Sequence, residues 1–399
     1  MMEDVNNHIH THFSFSPYSP AAAVERAKAA GLSTAGIMDH DSLAGADAFE
    51  QAGRLIGIPT TVGMEIRADF THTPLNGRRI NNPDQDSIAY VALHGIPKAS
   101  RPKVQEFMKP FAKARSIRNR IMTLRIHDLV RPYGFSLDYE KDVLPLSHES
   151  QGGSVTERHL LYALSLKLID RFGKTVELAG FLKDKLRLSI TGKMESLLTD
   201  ADNPYGSYDL LGVLKSGLVS SFYVNASAEC PDIRDLVRIS KDAGAVCAYA
   251  YLGDVTNSVT GDKKSQSFED GYLDLLFETI SELRFDAVTY MPSRNTTEQI
   301  IRLRNLCDRH GLFQISGEDI NSPRQSFVCQ AMRAPGFENL ADAAWALIGH
   351  EAASAESLGA GMFSTDTLAS MPNLTARVTH YADLGRIVFE RSMRMRKED

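Results

Sequence analysis

The stretch NNHIHTHFSF, residues 6–15, sets His8, His10 and His12 on alternating positions. Affinity tags are runs of consecutive histidines, and here an isoleucine and a threonine intervene, so a tag is set aside. If VNNHIH is extended, its period of two sends His8 and His10 to one face, near enough for both imidazoles to reach one metal ion. His12 joins them only if the strand continues. The same alternation arises on the wet side of any half-exposed strand, so ligation needs partners from elsewhere in the chain.

Such partners recur where later apolar runs end: Asp39-His40-Asp41 after TAGIM, Glu65 in GMEI, His94 after YVAL and Asp319 in SGED. Singly, each has an ordinary structural explanation. Asp39 and Asp41 suit helix caps, Glu65 a surface carboxylate and His94 a core histidine. Together they form a pattern, because parallel strands closed into a barrel bring their carboxyl ends to one mouth.

The elements that would position them alternate. SPAAAVERAKAAGL reads as a helix stopped by Gly31, TAGIMDH as a strand, and LAGADAFEQAGRLIG as a helix ended by Gly57. IPTTVGMEI and DSIAYVALHGI follow as strands, which predicts βαβ units and a largely parallel sheet. Residues 99–221 instead carry long helical stretches, among them TERHLLYALSLKLIDRFG, and read as an insertion. Alternation resumes with IRDLVRISKDAG, AVCAYAYLG, YLDLLFETISEL, FDAVTYM, TTEQIIRLRNLCDRHG and LFQISGED. The expected organisation is a barrel from residues 1–98 and 222–336, a helical lid over 99–221, and an alanine-rich helical extension over 337–399 packed on the outside.

Composition narrows the partners. With 44 Lys and Arg against 50 Asp and Glu, the net charge of −6 offers no basic groove for nucleic acid, so a small and plausibly anionic partner is expected. Cys230, Cys247, Cys307 and Cys329 show no CxxC pairing and are too sparse for a disulfide scaffold, which predicts a reducing, cytoplasmic setting. No run approaches a membrane span, and the amino terminus lacks the basic-then-apolar order of a signal peptide. A homo-oligomer is compatible with all of this.

HIHTHFS, IMDHDSLAG, GMEI and SGEDIN resemble successive motifs of the PHP (polymerase and histidinol phosphatase) family of metal-dependent phosphoesterases. The resemblance covers roughly residues 1–98 and 230–330. It implies an α/β fold, a distorted (β/α)7 barrel with up to three metal ions at the carboxyl ends of its strands, here with a large helical insertion and a helical C-terminal tail. By position, His8, His10, Glu65 and Asp319 match the ligands of one metal. Glu65 would bridge to a second, shared with His94, and His40 matches a ligand of the third.

The chain also departs from the family. Phe15 or Ser16 stands where an acidic or histidine ligand is common, Tyr249 replaces a histidine, and Asn321 replaces the histidine of an Asp-x-His motif. One full metal site and a partial second are therefore expected, with Tyr249 as a weak ligand or Asp254 as a substitute. Imidazole and carboxylate ligands without thiolate suit Zn, Mn or Fe. An open position on such a cation lowers the pKa of bound water to about 7.

Phosphate ester hydrolysis is the natural use. Glu65 and His40 are the expected catalytic groups, His40 acting as general acid if it holds no metal. Arg294 and Arg324, just past strand ends, are candidates for holding phosphate oxygens, with Asn321 and Tyr249 beside them. In the insertion, Thr156 as N-cap would place Arg158 and His159 in a phosphate-facing first turn, or in an ordinary one. Two rivals stand beside the phosphoesterase: a C–N hydrolase of the amidohydrolase kind, and a catalytically degenerate barrel that binds metal or phosphate without turnover.

Overall fold

The computed structural model describes residues 3–255 and 266–398. Its barrel strands are β1 (Val5–Ile9), β2 (Thr34–His40), β3 (Thr60–Asp69), β4 (Ile88–His94), β5 (Val246–Ala250), β6 (Ala287–Tyr290) and β7 (Phe313–Ser316). They form one sheet in sequential order. Helices α1 (Pro20–Ala29) and α2 (Ala46–Ile56) join the first three strands. The insertion follows β4 and comprises α3 (Arg101–Val130), α4 (Glu157–Phe172), α5 (Val176–Asp184), α6 (Gly192–Thr199) and α7 (Gly206–Phe222). The barrel then resumes with α8 (Ile233–Ala243), α9 (Leu273–Glu282) and α10 (Thr297–His310), and the tail holds α11 (Glu338–Glu356), α12 (Thr365–Ser370) and α13 (Leu374–Glu398).

This is the expected β/α barrel, nearly closed, with a helical insertion and a helical tail. Its edges meet through Ile320, which lies beyond β7 and bridges Ile9 in parallel register. The Ile320 N–H donates to the His8 carbonyl at 3.1 Å, and the His10 N–H donates to the Ile320 carbonyl at 3.0 Å.

One strand runs against the rest. β4 is antiparallel to both β3 and β5, whereas the other pairings are parallel. The reason lies in the connection: residues 70–87 carry Pro, Gly and Asn and form no helix. A parallel return would require a crossover, while an antiparallel one needs only a loop.

Strand alternation sorts the side chains. On β3, Val62, Met64, Ile66 and Ala68 enter the main apolar core, where the buried residues of α1, α2 and α8 also lie. Gly63, Glu65 and Arg67 take the opposite, inner face, and a side chain at Gly63 would collide with Met38. A second apolar cluster joins inner residues Met38, Ala92, Val246, Ala248 and Ile315 to Trp345, Leu347, Tyr381 and Ala382 of the tail. The tail thus packs on the barrel interior from the end opposite the histidines, where an external position was expected. Within it α11 and α13 meet at two glycines: a Cβ on Gly349 would fall 1.9 Å from the Tyr381 carbonyl oxygen, and one on Gly385 would fall 2.3 Å from that of Trp345.

The insertion has its own apolar cluster, built from Met122, Ile126, Leu160, Leu164, Leu211, Leu214 and Phe222 among others, and the barrel contributes Phe15 to it. A buried ion network joins insertion to barrel. Arg118 of α3 meets Glu157 at 2.7 Å and Glu229 at 3.3 Å, Arg67 of β3 meets Glu157 at 2.9 Å and also Glu229, and Arg115 pairs with Asp41 and, at 3.4 Å, Glu229. Three guanidinium groups face three carboxylates, so the charges of this desolvated cluster balance. Among the described residues no helix is long and apolar enough to cross a membrane.

Candidate metal centre

His8, His10 and Glu65 are all buried and each offers a ligand atom, the three atoms lying within 4.8 Å of one another. Glu65 is the hub: its Oε2 stands 3.0 Å from His40 Nδ1, 3.7 Å from His8 Nε2 and 4.0 Å from His10 Nε2. Asp319 Oδ1 approaches His10 Nε2 from the other side at 3.1 Å. Donor atoms on one zinc-like cation, at bonds of about 2.1 Å, stand about 3.0–3.5 Å apart, which these separations approach. The Nε2 atoms of His8 and His10 are buried and make no hydrogen bond. Orphaned buried nitrogens are costly unless something takes their lone pairs, and a divalent cation among His8, His10 and Glu65 would do so.

The surroundings set which nitrogen is free. Ser14 Oγ donates to Asp39 Oδ1 at 2.6 Å and lies 3.2 Å from His10 Nδ1. Because the single hydroxyl proton goes to the carboxylate, Ser14 accepts from His10 Nδ1–H, which leaves the Nε2 lone pair turned to the centre. Asp39 is fixed in turn by the Thr11 N–H and hydroxyl, both at 2.6 Å. It therefore braces the loop after β1.

The electrostatics are those of a site that wants positive charge. Burial alone would raise Glu65, but His40 and His8 hold it far below the usual carboxylate range. Burial would likewise raise Asp319, yet His10 against its oxygen, with His8 and Arg158 farther out, keeps it well below. For His8 burial lowers and Glu65 raises, with a net rise, whereas for His10 burial wins and the pKa falls.

The other expected residues have varied surroundings. His94 ends β4, where it pairs with Val246 at the start of β5, and its buried Nε2, like those of His8 and His10, makes no hydrogen bond. It lies outside the three-residue cluster, and burial, helped by His8 and opposed by Glu65, pushes it down to about 3. Tyr249 does not face the barrel interior: it sits in the outer core, fully buried, with its hydroxyl donating to Glu269 at 3.1 Å. Asp254 accepts from the Phe268 N–H and is absent from the cluster. Asn321 donates its amide to Asp319 Oδ1 at 2.6 Å. His12 leaves the face of His8 and His10, because β1 ends at Ile9, and stacks on His148 at 3.7 Å.

Arg294 is half-buried and donates to the Leu252 carbonyl at 3.1 Å. Arg324 has its fork filled by Asp209, at 2.6 and 2.8 Å, so it ties the segment after β7 to the insertion. His159 is buried and closes a capping box with Thr156, whose N–H donates to its Nδ1 at 3.0 Å. Arg158 is half-buried in the first turn of α4.

Sequence reasoning passed over several residues. Tyr90 sits 5.8 Å from the His40 ring, and it shares a strand face with His94 two turns of the pleat away. Period two from Glu65 was the available signal for Arg67. Arg115, Arg118, Glu157, Glu229 and Lys215 gave none, because their partners come from distant segments.

Fold and cluster together define a metal-binding β/α barrel. A model of the PHP domain matches residues 6–275, and the chain belongs to that family. Over 107 residues it is 33% identical to the 5'-3' exoribonuclease of Haemophilus influenzae, a match covering 26% of this chain and 37% of that enzyme's length. Two solved structures share the fold. One is a presumptive metal-dependent phosphoesterase from Bifidobacterium adolescentis, with a TM-score of 0.52, 20% identity, and 83% of this chain and 94% of that one covered. The other is an amidohydrolase from Chromobacterium violaceum solved with sulfate and no metal, with a TM-score of 0.51, 17% identity, and 82% and 90% covered.

Proposed function

We propose that this protein is a metal-dependent phosphoesterase acting on a small phosphorylated metabolite, with residues 1–98 and 222–336 as catalytic barrel, 99–221 as a lid over the mouth and 337–399 as an extension. The observation that carries the reading is the convergence of His8, His10 and Glu65, with Asp319 beside them, on one buried point. A divalent cation there supplies Lewis acidity and an activated water near neutral pH. Glu65 and Asp319, held ionised, balance the cation's charge. His40, with Nδ1 3.0 Å from Glu65, is oriented to give a proton from its other nitrogen to the leaving oxygen.

Hydrolysis of a P–O bond is preferred to that of a C–N bond because of the 33% identity to an exoribonuclease, itself a phosphoester-cleaving enzyme by name. The test is turnover by metal-loaded protein of a panel of phosphomonoesters, amides and lactams. Phosphomonoester hydrolysis abolished by chelator and restored by Zn, Mn or Fe is the expected result. Turnover confined to amides or lactams would replace this reading with the C–N hydrolase, and no turnover with metal bound would favour the degenerate barrel.

A further inference from the structure

The three positions that depart from the family pattern are occupied with other work. Phe15 packs its ring into the core of the insertion, 5.0 Å from His159, 5.6 Å from Tyr162 and 6.0 Å from Tyr208. Tyr249 points to Glu269, and Asn321 braces Asp319. Among the described residues, the ligand cluster that remains is that of a single cation. Glu65 and Asp319 already balance one divalent ion, so a phosphoryl dianion bound there leaves the site net negative and in need of further cations.

Phe15 also shows where they come from. By joining the apolar core of the insertion it draws α4 and α7 onto the barrel mouth, and Glu157, first residue of α4, is fastened there by Arg67 and Arg118. Five arginines around the mouth are committed: Arg67, Arg115, Arg118 and Arg324 to carboxylates, and Arg294 to a backbone carbonyl. Two cations are not. Arg158, next to Glu157, and Lys215 on α7 are half-buried, and among the described residues neither has a hydrogen-bond or ion-pair partner. They belong to helices that pack together, since α4 and α7 share the insertion's apolar cluster and both meet the Phe15 ring, and the charges of both are felt at Asp319. Half-desolvated cations without a counter-ion are unfavourable, and an anion seated between them and the metal centre relieves the cost.

We propose that Arg158 and Lys215, carried by the insertion, grip the nonbridging oxygens of a phosphoryl group at the His8–His10–Glu65 centre, in place of the cations whose ligands Phe15 and Tyr249 replace. The inference rests on the phosphoesterase reading and narrows the substrate to a terminal phosphate dianion, whose two charges and three nonbridging oxygens match two added cations better than a diester monoanion or an amide does.

The test is titration of the metal-loaded full chain with inorganic phosphate, alongside metal content, for the wild type, Arg158→Met, Lys215→Met and the conservative Lys215→Arg. Metal content should stay at the wild-type level throughout. Each methionine variant should lose about tenfold in phosphate affinity, while Lys215→Arg keeps most of it. Unchanged phosphate affinity in both methionine variants overturns the proposal, as does loss of metal from them, which would make the pair structural. Wild-type phosphate binding that depends on this pair, without any phosphomonoester turnover, sinks the phosphoesterase reading instead and leaves the anion site standing.

Discussion

His10 and Asp319, from opposite ends of the barrel sequence, meet with Nε2 and Oδ1 3.1 Å apart because the backbone of Ile320 bonds to both His8 and His10. Barrel closure and site assembly are therefore one event. The strand pairing that removes the sheet's open edge also carries a carboxylate to the histidines, so the site inherits the rigidity of the backbone ladder.

The hydroxyl of Ser14 is the device that presents His10 to a cation. In Ser14→Ala the imidazole loses the acceptor on Nδ1 and either tautomer becomes available. Metal affinity should fall about tenfold or more, with little change in the melting temperature of the metal-free protein. Equilibrium competition with a chromophoric chelator measures it, and an affinity equal to wild type would show that the tautomer is set elsewhere.

Lys215 gives the phosphate site a pH limit. The neighbouring Arg158 and burial lower the amine to about 8, so it loses its charge as pH rises through that value, below the usual 10.5. Inorganic phosphate is already a dianion there, its second ionisation lying about 6–7. Phosphate affinity should therefore fall above pH of about 8 in the wild type and stay flat in Lys215→Arg, whose guanidinium remains charged. Identical profiles in calorimetric titrations would remove Lys215 from the site.

At the other end of the barrel, Glu351 of α11 accepts from the Val62 N–H at 2.8 Å, and burial raises it from 4.5 to about 8. The folded state then binds more protons than the unfolded one between those values. Its contribution to stability is complete below pH 4.5 and is lost as pH rises to about 8. Glu351→Gln keeps the acceptor and removes the titration, so thermal melts should show the variant matching wild type near the lower value and exceeding it near the upper. Parallel curves across the range would contradict this.

The crossing of α11 and α13 admits no side chain at its closest points. Gly349→Ala or Gly385→Ala would press a methyl group against a backbone oxygen of the facing helix, which cannot swing aside. Each should cost about 3 kcal/mol in denaturant unfolding. A loss under about 1 kcal/mol would mean that the helices part easily.

Much of this was legible because it is local. A period of two fixes the shared face of His8 and His10, and short apolar runs mark the strands whose ends carry His40, Glu65 and Asp319. What stayed hidden depends on parity and on distant partners. In AVCAYAYLG both faces are apolar, so nothing in the run says that alanines face the tail and Tyr249 the outer core. The reversal of β4 was written in the helix-free stretch before it. The ion network of Arg67, Arg115, Arg118, Glu157 and Glu229 and the engagement of Arg324 by Asp209 have no local signature.

Everything proposed for this site requires that Glu65 hold a metal together with His8 and His10. Elemental analysis of protein purified without chelator, compared with Glu65→Ala, tests that most directly. The account predicts bound Zn, Mn or Fe in the wild type and loss of most of it, with all phosphomonoester turnover, in the variant. Equal metal content in the two proteins would contradict it.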